Sequence, residues 1–180
     1  MITTAASASA ALFALLLAGF SAEAAEGWRP QGVWLTEDAD GAVEIYDCGE
    51  QLCGRIVWQK SPLRDDGTPD IDDRNPDPAL RGRPICGLQI IGALTPSGPA
   101  HWSEGWVYDP DSGKTYHVEL YREGDDALRL RGYIGVPLFG ASQLWRHAPA
   151  DLPLCTDDRK NRIKDSRFLP LNRSRRSPKI

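Results

Sequence analysis

The sequence predicts an all-β fold: a single eight-stranded antiparallel up-and-down barrel. Three observations point there. Segments of helical periodicity are almost absent from the chain. In their place, short runs rich in Val, Ile, Leu, Trp and Tyr recur, each bounded by Gly, Pro or Asp. The connections are mostly tight turns, so successive strands are antiparallel neighbours. Closing eight such strands on themselves removes the exposed edges.

The runs fall at 32–36, 42–47, 52–59, 85–94, 101–108, 114–122, 127–134 and 141–146. Asp38-Ala39-Asp40-Gly41, Asp109-Pro110-Asp111-Ser112-Gly113 and Glu123-Gly124-Asp125-Asp126 carry turn chemistry between them. Alternation assigns the faces. Val43 and Ile45 alternate with Glu44 and Tyr46, and Leu52, Ile56 and Trp58 share a face opposite Arg55 and Val57. Tyr116, Val118 and Leu120 oppose His117 and Glu119, and Leu128 and Leu130 oppose Arg129 and Arg131. The apolar sets line the interior and the charged sets face water. An interior of this size is either filled by side chains or holds one small ligand. With six Trp in the chain, a filled barrel needs no ligand to be stable.

The ends of the chain have a different character. "AALFALLLAG" at 10–19 is an apolar run of signal-peptide length, followed by the small residues Ser21-Ala22-Glu23-Ala24-Ala25. Residues 1–25 therefore read as a signal peptide, although Met1 to Ala10 has no Lys or Arg. The barrel domain occupies 26–148, and the mature chain of ~155 residues is periplasmic or secreted. Residues 149–180 form a basic C-terminal extension that the composition predicts to be mobile. Its last part, 159–180, holds nine Lys/Arg and one Asp of chain totals of 21 basic and 25 acidic. That leaves 12 basic and 24 acidic residues elsewhere, a net of −12. The tail reads first as a solvated end folding back on an acidic body, and second as a patch for an anionic envelope component. Nucleic acid is not expected as a partner, and no segment after the leader is long enough to span a membrane. The sequence leaves the oligomeric state open.

All four cysteines lie in the mature chain, where export favours oxidation. Four cysteines allow three pairings. Cys48 and Cys53 flank a turn-like Gly49-Glu50-Gln51-Leu52, at hairpin positions close enough to bridge. The expectation is Cys48–Cys53 and Cys86–Cys155. A zinc site would need two tightly spaced ligand pairs, and His101, His117 and His147 are scattered. No metal and no cofactor is expected.

Four stretches resemble a known family in order and spacing: "CGEQLCGRIVW", "DDRNPDPALRGRPICGLQII", "WSEGWVYDPDSGKTY", and Ala127-Leu128-Arg129-Leu130-Arg131-Gly132-Tyr133 through Trp145-Arg146-His147. On these the chain is identified as a member of domain-of-unknown-function family 2147, exported bacterial proteins. The resemblance covers about 27–146 and implies a lipocalin-like barrel of the calycin type, with no assigned activity. Gly32-Val33-Trp34 is similar to the lipocalin Gly-x-Trp start. That likeness implies that Trp34 closes the barrel floor and that Arg146 packs on it as a cation over the indole.

Chemistry is harder to place. Gly113-Lys114-Thr115 lacks the upstream Gly of a phosphate-binding loop, since Tyr108 stands there. Asp109-x-Asp111-x-Gly113 has the look of a calcium loop, but Lys114 occupies the position that needs Gly, and a hairpin turn explains it better. Asp70, Asp72, Asp73 and Asp77 are interleaved with Arg74 and Arg81, which favours local pairing over a metal. The weak catalytic candidates are Glu104 and His101. Glu104 shares strand parity with Trp102 and Trp106, so an inward Trp pair would bury a carboxylate. A bulge at Gly105 would instead turn Glu104 to solvent, and this reading carries more weight.

The expected function is an exported binding module holding a small, mostly apolar molecule among Trp58, Trp102, Glu104, Trp106, Tyr116 and Leu130. An envelope-associated enzyme using Glu104 or His101 is the alternative, as is an interaction protein with a filled barrel. The long "DDRNPDPALRGRPICG" connection, stiffened by Asn75-Pro76 and Asp77-Pro78, reads as an ordered lid or latch, with Asn75, Asp77 and Arg83 as its contact residues.

Overall fold

A computed structural model describes residues 28–155. The expected signal peptide (1–25) and the basic stretch 159–180 lie outside the described residues. Eight strands follow in order: β1 (Gly32–Leu35), β2 (Gly41–Cys48), β3 (Gln51–Gln59), β4 (Gln89–Gly98), β5 (His101–Asp109), β6 (Lys114–Arg122), β7 (Ala127–Tyr133) and β8 (Gly140–His147). Each pairs with the next, and β8 returns to β1 through Trp34↔His147 and Leu35↔Arg146, closing the barrel. Among the described residues no helix is long and apolar enough to cross a membrane.

The turns form where the local chemistry demands them. Between β2 and β3, Gly49 takes φ +80, a left-handed conformation that costs Gly least, and the disulfide Cys48–Cys53 spans the hairpin. The fourth strand departs from the expected 85–94. It begins at Gln89 and runs on to Gly98, because Ile85 still belongs to the preceding loop. There Pro84 pairs with Ile71, and Gly87 turns at φ +82 to donate to the Ile56 carbonyl. A second disulfide, Cys86–Cys155, ties this exit to the segment after β8.

An up-and-down barrel places alternate connections at the same end. One end carries the short turns at 49–50, 99–100 and 123–126, together with the start of β1. It is sealed by aromatic packing. Trp28 and Trp102 meet edge to face at 5.5 Å, Trp28 and Trp34 at 6.5 Å, and the Trp34 indole donates to the Pro30 carbonyl. Leu52, Leu94, Leu120 and Leu128 are all but inaccessible. Each such side chain contributes about 1.5–3 kcal/mol on burial. The expected Arg146 contact is corrected here. Arg146 is exposed in β8, and its neighbour His147 stacks on Trp34 at 3.8 Å. The cation over an indole is Arg122, which lies 5.4 Å from Trp28.

Candidate ligand cavity

The opposite end carries the connections 36–40, 60–88, 110–113 and 134–139, and here the barrel is open. A cavity of about 740 Å³ enters between these loops and descends into the interior. Its walls are the inward positions of the strands, among them Val43, Ile56, Ile90, Leu130 and Trp145. Ile134 and Phe139 form an exposed apolar lip. The volume lies within the range of small-molecule sites, which spans roughly 300–1,000 Å³.

The long loop spans one side of this mouth and is held by a buried carboxylate. Asp72 is fully inaccessible, and all its partners are donors. Asn75 Nδ2 donates to it at 2.7 Å, Arg83 Nε at 2.8 Å, and the Tyr108 hydroxyl from β5 donates to its other oxygen. Charge-assisted bonds of this kind offset the cost of burying the anion. Burial, with the hydrogen bond to Asp72 added, raises the Tyr108 phenol above its ordinary value. A second tie joins the loop to the β5–β6 turn. Arg74 donates to the Asp111 carbonyl, and the Arg74 carbonyl lies so close to Gly113 that a Cβ there would come within 2.1 Å of it. Gly113 also has φ +68, so two constraints select glycine at one position.

The expected loop contacts are therefore placed elsewhere than expected. Asn75 and Arg83 serve the Asp72 cluster, and Asp77 caps a short 3₁₀ turn by accepting from the Ala79 amide. None of the three lines the cavity. The loop residues that do are Asp70, Ile71, Asp73, Arg74 and Ile85.

The six expected pocket residues divide. Tyr116 and Leu130 line the cavity. Trp102 is buried, but it plugs the sealed end against Trp28. Trp58, Glu104 and Trp106 do not line the cavity, because bulges invert their faces. A register shift beside Val43 leaves Val43 opposite Ile56 but sets Ala42 opposite Trp58, so Trp58 turns away from Ile56. In β5 the register slips between Trp102 and Gly105, with Glu104 at φ +62. Glu104 is consequently exposed, and Trp106 stands on the outer wall across Gly92, where a Cβ would come within 2.6 Å of the indole. Glu104 thus faces solvent, as the bulge reading at Gly105 expects, and not the cavity, where the expected ligand-binding set puts it. His101 is also an outer-wall residue. It stacks on Tyr121 at 4.3 Å and contacts Ser97 Oγ at 2.9 Å, while its Nε2 is buried and lacks a hydrogen-bond partner.

Sequence reasoning missed the most marked property of the mouth. Asp38, Asp40, Asp70, Asp73, Asp109 and Asp111 all line it, with Arg74 as their single basic companion. Among the described residues none of the six is in an ion pair. Partial loss of water, then the Asp109 charge, push the Asp111 carboxyl above its usual range, with Arg74 opposing them and smaller contributions from Asp40 and Asp70 adding to them. Assigning the acids to barrel ends, rather than reading them loop by loop, would have collected them at one mouth. Among the described residues no group of three potential ligands is placed to hold a metal ion. Asp109 caps the β5–β6 turn: it accepts from the Asp111 amide at 3.0 Å and from the Ser112 hydroxyl.

Known proteins bear on the fold. A protein of the human pathogen Helicobacter pylori, described as belonging to the lipocalin family, matches at a TM-score of 0.59 and 21% identity, over 74% of this chain and 88% of that one. Comparison with curated proteins finds no match. Bacterial family DUF2147, described as uncharacterized proteins conserved in bacteria, matches residues 32–147, the barrel from β1 to β8, and the chain belongs to that family.

Proposed function

We propose that this protein is an exported carrier or sensor of a small molecule, held by its mostly apolar body in the open half of the barrel. The observation that carries this reading is the asymmetry of the interior. One end is plugged by Trp28, Trp34 and Trp102, while the other holds a cavity of about 740 Å³ between apolar walls. A barrel serving only as an outer scaffold has no need of such a space. The two disulfides and the leader-like 1–25 stretch support export. The enzymatic alternative loses its acid with Glu104, and His101 lies on the wall outside the cavity.

The test uses N-phenyl-1-naphthylamine, an uncharged apolar dye. Saturable one-to-one binding is expected, and Leu130→Trp, which fills the wall, should weaken it by about tenfold or more. Absence of saturable binding, or equal affinity in a folded Leu130→Trp variant, would overturn the reading. Native mass spectrometry of protein purified from the periplasm should reveal a retained mass that is lost on unfolding.

A further inference from the structure

We propose that the molecule the cavity takes is a cationic amphiphile, with an apolar body and one ammonium or guanidinium head held at the mouth. This rests on the small-ligand reading above and adds the sign of the ligand's charge. The cavity itself makes the site; the side chains around its opening select what enters.

Charge is the first argument. Six carboxylates face one guanidinium across the mouth. Arg74 donates to the Asp111 carbonyl and keeps its charge, so the carboxylates outnumber the cations at the mouth by five. The hydrogen bonds the carboxylates accept come from neutral donors: Thr36 to Asp40, Gln59 to Asp70 at 3.0 Å, and Ser112 to Asp109. The side chains of Asp38, Asp73 and Asp111 accept no hydrogen bond among the described residues. A cleft with one sign of charge and low-dielectric walls focuses its field and gathers counter-charged ligands.

The form of the cation follows from how the acids are arranged. They are spread around the mouth, and no three converge on a point that would suit a metal ion. Diffuse negative charge matches an organic cation. Tyr116, Tyr133 and Phe139 line the same opening, and aromatic rings attract ammonium groups, at exposed sites by about 0.5–1 kcal/mol. Beyond the acids the walls become apolar at Val43, Ile56, Ile90 and Leu130, where a hydrocarbon body loses contact with water. A fatty anion would have to set its head among six like charges.

Three probes with one chain length separate the possibilities: decyltrimethylammonium, decanol and decyl sulfate, each below its micelle concentration, competing with the naphthylamine dye. Decyltrimethylammonium should displace the dye at about tenfold or more lower concentration than decyl sulfate in low salt. That ratio should shrink in high salt, because the mouth is open to screening. It should collapse toward one in Asp40→Asn/Asp111→Asn. If decanol displaces the dye but decyl sulfate does so as well as the ammonium, the cationic inference fails and the small-ligand reading stands. A preference that ignores both salt and the double variant would also overturn it. If the dye does not bind and none of the three gives heat on titration, the small-ligand reading itself falls.

Discussion

Asp72 shows how one residue can decide whether a cavity has a wall. It is a carboxylate with no exposure in a loop most of whose other charged residues face water. Its four contacts reach Asn75 and Arg83 within the loop and Tyr108 in the barrel. Removing the acceptor leaves Arg83 without its ion partner and Tyr108 without its bond. Arg83 is partly exposed and can turn to water, but the buried Tyr108 hydroxyl and Asn75 amide each lose an acceptor, at about 1–3 kcal/mol apiece. Asp72→Ala should therefore lower the unfolding free energy obtained from urea titration by about 2–6 kcal/mol, the sum of those two losses. Amide exchange should accelerate over 60–88 more than over β6 and β7. Tyr108→Phe removes one of the carboxylate's donors and leaves Arg83 and Asn75 in place, so it should cost less, about 1.5–2 kcal/mol. Equal losses in the two variants, or exchange that accelerates uniformly, would show that Asp72 is not the latch. From sequence, Asp72 was one of four acids in a charged loop. Nothing in the local pattern marked it as the buried one, because its burial depends on Tyr108, which is 36 residues away.

At the level of the strand, the register was legible only as far as the period held. The alternation of Val43/Ile45, Leu128/Leu130 and Val118/Leu120 follows from their spacing, and all six are buried. Trp106 falls outside the cavity because an irregularity shifts every later side chain to the other face, and the same step turns Glu104 to solvent as the bulge reading expects. In β4 and β5 two non-glycine residues, Ala93 at φ 59 and Glu104 at φ 62, adopt left-handed conformations where the ladder between the two strands runs from Gly92↔Trp106 to Thr95↔Ser103. Such conformations cost an L-residue roughly 1–2 kcal/mol. Glu104 is exposed and touches little beyond Thr95, so relief of this strain should dominate its substitutions. Glu104→Gly is expected to raise stability by about 0.5–1 kcal/mol after the added freedom of the unfolded chain is counted, whereas Glu104→Ala should be nearly neutral. Thermal unfolding of both variants checks this, and a Gly variant less stable than the Ala variant would contradict it. Gly105 was the only hint in the sequence. A Cβ there would come within 2.6 Å of Leu94, so that glycine serves close packing beside the irregular step.

For the whole molecule, the strand count and the turns could be read from local signals and Trp34 at the floor from the family likeness, while Trp28 and Trp102 in the plug and the acids of the mouth could not. The mouth exists only once four connections, separated by up to about a hundred positions, are folded to one end. A comparable effect of assembly governs how the barrel responds to base. Three tyrosines, from different parts of the wall, hold their protons more firmly than a free phenol. Burial is the leading cause for Tyr108, Tyr121 and Tyr133, with the Asp72 or Glu119 carboxylate adding to it. Tyr121, which donates to Glu119, is pushed from 10.0 up to about 12. In the unfolded chain these phenols ionise near pH 10, while the folded chain keeps them neutral. Above that pH the native state binds more protons than the unfolded state, so stability falls as pH rises. The tyrosines' contribution is fully present below about pH 10 and is lost as pH climbs toward about 12, the raised value of Tyr121. Urea midpoints taken at intervals should hold level up to about pH 9.5 and then decline. Tyr121→Phe, which has no proton to lose, should make that decline shallower while leaving the wild-type trend visible through Tyr108 and Tyr133. A midpoint that stays flat to pH 12, or an unaltered slope in the Phe variant, would mean that Tyr121 keeps contact with water and that the Glu119–Tyr121 pair does not seal the outer wall of β6.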